Sequence, residues 1–337
     1  MTEKILTVIV PMYNATAYIE RCLRSMLVRP DLRQYLEVLV INDGSTDGCE
    51  KKAQKVAQEY PDLFCVIHKK NGGHGSAINE GVARGSGKYI KIVDADDLLE
   101  LKELEKFILQ LRKLKDPDVI LCAYQVFDMK IGRTERICSG AGTEKYLDME
   151  GLIARWGQYR PVCTFHGMVY RTEFYKKNSG RLPERVFYDD GYYTIVPASH
   201  AQTIYLSSRS LYVYCIGMEA QSVSAENRIR HLKDAYRVIN AICNTRKDCR
   251  SAKGQQFWEY RTVSFISDYL VTCFLRFPDK KTGRSKAKRF MNKLWKKYPQ
   301  VAGAVQKKYY LLKWMGYLHV SEQQFQKMLW NRKKYKR

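Results

Sequence analysis

Three carboxylates fall within four positions at the end of an apolar run, Asp94, Asp96 and Asp97 in "KYIKIVDADDLLE" (88–100). Two carboxylates in D-x-D spacing on a tightly turning segment can converge on one hard cation. Mg2+ and Mn2+ accept such oxygen ligands together with phosphate oxygens, so an ion held there could neutralise a departing diphosphate. A plainer use competes with this one. Asp is a favoured helix N-cap, and a helical pattern starts near Leu99. Both uses are compatible if Asp97 is the cap and Asp94 and Asp96 meet the ion. Another acidic residue, Asp47, has the spacing to Glu50 of a capping box and is read as one.

The segments around these residues alternate in period. Strand-like runs "ILTVIV" (5–10), "LEVLVI" (36–41), "FCVIH" (64–68), "YIKIV" (89–93) and "VILCAYQVF" (119–127) are separated by helical patterns at 17–27, 49–60, 75–85 and 101–114. Strands alternating with helices predict crossover units and a mostly parallel sheet flanked by helices, an α/β, Rossmann-like class. In such sheets ligands bind beyond the carboxyl ends of the strands. The residues that follow the first four runs are "PMYN", "NDGSTD", "KKNGGHGSA" and "DADD", which puts polar and glycine-rich loops where a site belongs. Residues 128–227 are less regular, with loops at Gly132, Gly140–Thr143 and Arg181–Arg185 and an expected strand pair in "TIYLSS" and "SLYVYCI".

A chain of 337 residues with 45% hydrophobic residues can bury one large core or two smaller ones. No basic start leads into an apolar leader, so no signal peptide is read and a cytoplasmic location is expected. The ten cysteines lack C-x-x-C pairing and suit reduced thiols better than disulfides or zinc. Residues 228–337 hold 28 Lys and Arg against 6 Asp and Glu, a net +22, whereas residues 1–227 hold 30 and 29, a net +1. The expected organisation is therefore a catalytic domain over 1–227 and a basic, mainly helical domain over 228–337. The longest apolar stretch of the latter (262–277) contains Asp268 and is too short to span a bilayer.

The ordered set "VIVPMYN" (8–14), "VLVINDGSTDGC" (38–49), "KNGGHGSAINEGVARGSGKYIKIVDADD" (70–97) and "FYDDGY" (187–192) resembles a bacterial family 2 inverting glycosyltransferase of the GT-A fold, over about residues 3–225. The resemblance implies a metal-dependent transfer of a sugar from a nucleotide-sugar donor, usually a UDP-sugar, to a hydroxyl of a glycan or lipid-linked acceptor in cell-surface polysaccharide or glycolipid synthesis. It implies that Pro11, Tyr13 and Asn14 line the nucleotide pocket and that Asp43 hydrogen-bonds the base, with Asn42 where relatives often have a second aspartate. Gly72, Gly73 and Asn79 fall beside the ribose and diphosphate. Asp96 matches the direct Mn2+ or Mg2+ ligand, Asp94 the ribose or metal contact, and Ala95 lies between them on the donor side. Asp190 matches the general base, and Asp189 stands where Glu is more typical and orients or repels it. His74 reads equally as a solvated loop residue or a phosphate contact, and His166 as a structural histidine with acceptor or metal contact as the alternative. The segment 211–224 resembles the part that closes over the diphosphate, with Cys215 where many members carry Arg.

The basic third has no helix-turn-helix, zinc-finger or RNA-recognition signature, so nucleic acid is not the expected partner. Its runs "KRFMNKLWKKY" (288–298), "KKYYLLKWMGYL" (307–318) and "MLWNRKKYKR" (328–337) interleave cations with Trp, Tyr and Leu. Near an acidic lipid surface each cation gains about 1 kcal/mol. The expected partner is the anionic inner face of the cell membrane, bound peripherally; an ordinary helical domain with solvated charges is the alternative. Whether the chain forms a homo-oligomer is left open. Two other functions compete for the whole: a silent nucleotide-sugar- or glycan-binding scaffold, and a D-x-D phosphatase. In the phosphatase the motif follows the first strand, whereas here it follows the fourth.

Overall fold

The computed structural model describes residues 4–139, 144–217, 224–249, 251–318, 320–325 and 327. The loop at Gly140–Thr143, part of the segment 211–224 and the run 328–337 lie outside them. The chain divides into two compact units, Met1–Glu219 with Cys249–Gln255, and Ala220–Asp248 with Gln256–Arg337. The first thus stops short of residue 227 and recovers seven residues from beyond it.

The first unit is built on a ten-stranded sheet. Its strands are β1 (Leu6–Met12), β2 (Leu36–Asn42), β3 (Phe64–His68), β4 (Tyr89–Ile92), β5 (Leu98–Leu99), β6 (Val119–Asp128), β7 (Arg133–Ile137), β8 (Lys145–Leu147), β9 (Met168–Arg171) and β10 (Ile204–Ile216). The order is β3-β2-β1-β4-β9-β6-β10-β5, with β7 on β6 and β8 on β10. β1 is buried along its whole length, and β2 is buried except at Glu37. Helices cover both faces, which explains near-continuous apolar runs in place of alternation. β3, at the edge, exposes Cys65 and His68.

Register delivers the loops to one place. β1 pairs parallel with β2 so that Met12 lies opposite Asn42, β2 pairs with β3 so that Asn42 lies opposite His68, and β1 pairs with β4 so that Ile9 lies opposite Ile92. Residues 13–16, 43–47, 69–74 and 94–97 therefore leave the sheet at the same end. β9 runs antiparallel to both β4 and β6 and interrupts the parallel strands, and β5, β7 and β8 also pair antiparallel. The expected pair "TIYLSS" and "SLYVYCI" is instead one long strand, β10, parallel to β6 with register irregularities between Ser207 and Tyr212. The polar residues that looked like a turn mark a distortion within one strand.

A lysine sits inside this core. Lys91 of β4 is fully buried, and its Nζ donates to the carbonyls of Phe165 (2.9 Å), His166 (2.7 Å) and Met168 (3.1 Å). Burial pulls its pKa down to about 7. These three bonds fix the chain at the start of β9.

The second unit is helical, with helices at Leu232–Asn244, Lys280–Lys297 and Pro299–Tyr317 and most of Ala252–Val271. Phe257, Ile266, Leu270, Phe274, Phe290 and Val305 are among its buried residues. Asp268, in the apolar stretch, pairs with Arg228 and with Arg276 (3.1 Å), and Arg276 also meets Glu322 at 2.6 Å. Among the described residues no helix is long and apolar enough to cross a membrane.

Candidate active site

The turn after β4 carries the D-x-D residues, and its three carboxylates have different surroundings. Asp97 is 1% exposed; its Oδ2 accepts from the Tyr212 hydroxyl (2.5 Å) and its Oδ1 from the Cys215 amide (2.7 Å). It does not cap the following helix, Leu101–Leu111, whose N-cap position is Glu100. Instead it ties the turn to β10, and the Tyr212 hydroxyl completes the tie by accepting from the Asp94 amide (3.3 Å).

With Asp97 occupied, Asp94 and Asp96 face the site. One carboxylate oxygen from each of the three lies within 4.8 Å of the other two. Burial and then the charge of Asp94 push the Asp96 carboxyl up to about 6. Two half-buried carboxylates this close, one of them held high by the other, match a hard divalent cation in donor type and charge. The residues present fit such an ion.

Asp94 owes its own state to His74. The His74 imidazole lies between two carboxylates, with Nε2 3.0 Å from Asp94 Oδ1 and Nδ1 3.0 Å from Asp189 Oδ2. Burial alone would lower the imidazole pKa, but Asp189 and Asp94 outweigh it and hold the ring well above its ordinary value. A protonated ring donates from both nitrogens, one bond to each carboxylate. Burial likewise works against ionised Asp94, and the His74 bond and charge keep its carboxyl below its usual value. Both ring nitrogens of the half-buried His74 are thus engaged, and the ring joins the D-x-D turn to the "FYDDGY" segment.

The loop leading into that segment comes close because the glycines let it. Gly73 has a φ of +87°, and a Cβ there would stand 3.0 Å from the Arg185 amide nitrogen; a Cβ on Gly75 would stand 2.4 Å from the Pro183 carbonyl. Only glycine allows these loops so close. Asn79 contributes to the same junction, donating to the Leu182 carbonyl and Glu184 carboxylate (both 3.1 Å) and accepting from the Leu182 amide (2.9 Å). It braces the loop at Leu182–Glu184.

Asp189 is buried beneath His74, whereas Asp190 begins the short helix Asp190–Ile195 with its side chain exposed. Crowding by protein atoms on its inner side, and then the charge of Asp189, push the Asp190 carboxyl up to about 6, with His74 opposing and Asp94 adding to the shift. It is a solvent-facing carboxylate with the proton affinity of a weak base near neutrality. Tyr214 lies in the same field: burial and then Asp97, Asp94, Asp96 and Asp190 push its hydroxyl up to about 12.

The other expected donor residues divide. Tyr13 is exposed just beyond β1, Pro11 and Ala95 are buried, and Asn14 accepts from the Thr46 amide (2.9 Å), locking the first two loops together. Asp47 joins that lock through the Thr16 amide (2.8 Å) and accepts from the Cys49 amide (3.1 Å), but the buried Glu50 Oε2 makes no reciprocal bond, so the capping box does not form. Asp43 is 2% exposed, and its carboxylate takes the Gly72 amide (2.9 Å), the Gly73 amide (2.7 Å) and Lys69 Nζ (2.7 Å). These bonds shape the glycine turn around the buried Asp43 carboxylate.

The sequence reading missed three contributors. The Arg21 guanidinium donates to the Asp96 carbonyl (3.2 Å) and sits 3.8 Å from Cys215 Sγ. A cation from the first helix thereby stands beside Cys215. Tyr212 and Tyr214 come from a strand that was read as broken, and no local pattern announces any of the three. His166 stacks on Tyr214 with centroids 4.2 Å apart, and burial pulls its pKa down to about 4, so it packs as a neutral ring.

This chain belongs to glycosyl transferase family 2, whose family model matches residues 7–178. An uncharacterized glycosyltransferase of Rickettsia typhi is 35% identical over 127 residues, 37% of this chain and 38% of the relative. The matched stretch thus spans about two fifths of that relative's length. Among solved structures, S. aureus TarS 1–349 in complex with UDP-GlcNAc matches with a TM-score of 0.60 at 18% identity, covering 92% of this chain and 91% of that one. Mannosyltransferase PcManGT from Pyrobaculum calidifontis in complex with GDP-Man and Mn2+ matches at 0.51 and 16%, covering 92% and 87%. The shared fold is GT-A, a curled α/β sheet flanked by helices.

Proposed function

We propose that the protein is a metal-dependent inverting glycosyltransferase that moves a sugar from a nucleotide-sugar donor, a UDP-sugar, to a hydroxyl of a glycan or lipid-linked acceptor in cell-surface polysaccharide or glycolipid synthesis. One observation carries the reading: two carboxylate pairs, Asp94/Asp96 and Asp189/Asp190, are joined through a single histidine at the carboxyl end of the sheet. Inversion requires one displacement with a base on one side of the anomeric carbon and a stabilised leaving group on the other. The Asp190 carboxylate takes the acceptor's hydroxyl proton as that oxygen bonds to the anomeric carbon and the bond from this carbon to the diphosphate breaks. Asp96, with Asp94, would hold the divalent cation, Mn2+ or Mg2+. When bound, that ion supplies charge neutralisation for the departing diphosphate. Arg21 adds a fixed positive charge beside the turn, and His74 sets the Asp94 and Asp189 carboxylates. Tyr13, exposed above the first strand, offers a ring face to the base.

The nucleotide sugars in the TarS and PcManGT complexes, and the Mn2+ in the latter, support donor and ion classes for a chain of this fold. A silent scaffold needs no solvent-facing base at Asp190, and a phosphatase needs its nucleophilic aspartate after the first strand, where this chain has Pro11 to Asn14. The test is to incubate the full chain with a panel of UDP- and GDP-sugars and Mn2+, following thermal stabilisation and sugar release. One donor should stabilise the fold by mass action and be turned over with release of the inverted anomer. Stabilisation without turnover of any donor, with or without added acceptors, would favour the scaffold, and retention of anomeric configuration would refute the single displacement.

A further inference from the structure

We infer that the paired helices Lys280–Lys297 and Pro299–Tyr317 present a face that docks on an anionic membrane interface. The second of these helices has two apolar sides. Val301, Ala302, Val305, Leu312 and Met315 are buried. On the opposite side Tyr310, Leu311, Trp314, Tyr317 and Leu318 recur at helical spacing and remain 47–61% exposed. A soluble helix buries one stripe and turns a polar one outward, so a second apolar stripe in water calls for an occupant.

The neighbouring helix extends the face. Arg284 lies over the Tyr317 ring, 4.9 Å from its centroid, and the Trp295 ring lies 3.9 Å from where a Cβ on Gly303 would stand. Arg284 and Trp295 are eleven residues apart, three helical turns, so they share one edge of their helix, with exposed Lys288 between them. Lys307 is exposed on the apolar stripe itself. The result is a band of Trp, Tyr and Leu bordered by cations, the arrangement of a helix lying in a lipid headgroup layer.

Charge selects the occupant. Residues 280–318 contain 12 Lys and Arg and no Asp or Glu. Two copies of this chain meeting through the face would oppose cation to cation, and an anionic lipid surface offers both the counter-charge and the apolar phase. Single-stranded nucleic acid supplies counter-charge and ring faces, but it has no apolar phase for Leu311 and Leu318. This inference does not depend on the chemistry proposed for the sheet unit.

The test is cosedimentation of the full chain with vesicles of phosphatidylcholine alone and of phosphatidylcholine with phosphatidylglycerol. Binding should require the anionic lipid and weaken with salt. The double variant Trp314→Ser/Leu318→Ser should lower the partition coefficient at least about ten-fold through lost apolar burial. Arg284→Ser/Lys288→Ser should lower it about five-fold per cation on anionic vesicles. All four positions are partly or well exposed, and unchanged melting temperatures check that the variants fold. As a second measurement, brominated phospholipid should quench the tryptophan fluorescence of the unmodified chain. The inference is overturned by no vesicle binding at low salt, by binding that both variants retain, by absent quenching, by a dimer that Trp314→Ser dissolves, or by tight oligonucleotide binding without vesicle binding.

Discussion

The two units use charge in opposite ways. In the sheet unit acidic and basic groups are nearly balanced, and at the strand ends they are closed upon one another: Asp43 on Lys69 and two amides, Asp97 on Tyr212 and Cys215, and Asp94 and Asp189 on His74. In the helical unit cations outnumber acids heavily, and those of Lys280–Leu318 border exposed aromatics without an acidic neighbour in that stretch. Closed polar groups position chemistry to fractions of an ångström, and open ones offer a surface to something large. The contrast separates residues whose loss should stop turnover from residues whose loss should leave turnover untouched.

The largest effect is expected at the base. Asp190→Asn should cut sugar transfer roughly 100- to 10,000-fold, measured as initial rate at saturating donor, because it removes the carboxylate that accepts the hydroxyl proton. His74→Ala should come next, a loss of about 10- to 100-fold, as expected for a partner that orients groups at a metal site. His74→Gln, which can still donate to one carboxylate, should recover part of it. The pH profile gives a third reading. Asp190 must be ionised to accept a proton, so kcat/KM should fall as pH drops through about 6. Asp189→Asn removes a raising charge while His74 and Asp94 remain, and the acid limb should move to lower pH.

Smaller effects fall on stability. Tyr212→Phe leaves the buried Asp97 carboxylate and the Asp94 amide each short of a partner, which should cost about 1.5–3 kcal/mol in denaturant unfolding. At the other pole, Trp314→Ser/Leu318→Ser should change stability by no more than about 0.5 kcal/mol and leave hydrolysis of a soluble donor unchanged. A drop in donor turnover in that variant would erase the contrast between the units.

Much of the sheet was legible before any coordinates. Parallel strands buried on both faces leave continuous apolar runs, and the observed β1–β4 and β6 fall within two residues of the runs at 5–10, 36–41, 64–68, 89–93 and 119–127. The register that brings 13–16, 43–47, 69–74 and 94–97 together follows from the same runs. What stayed hidden depends on contacts remote in sequence. Asp97 resembles a helix cap because its neighbours suit one, but its partners Tyr212 and Cys215 lie more than a hundred residues away. Arg21 reaches the turn from the first helix, and His74 bridges to Asp189 across a similar gap. Asp43 was assigned outward by resemblance, and only the fold of the glycine turn reveals that its oxygens are engaged. Motif order located the site; long-range hydrogen bonds decided which member of each motif faces it.

The central claim is that Asp96 and Asp190 serve opposite sides of one displacement, and calorimetry of donor binding with and without Mn2+, paired with single-turnover transfer, tests it most directly. Asp96→Asn should abolish the Mn2+-dependent part of donor binding and transfer together, whereas Asp190→Asn should keep Mn2+-dependent binding and lose transfer. Undiminished Mn2+-dependent binding in Asp96→Asn, or turnover at the wild-type rate in Asp190→Asn, would contradict the account.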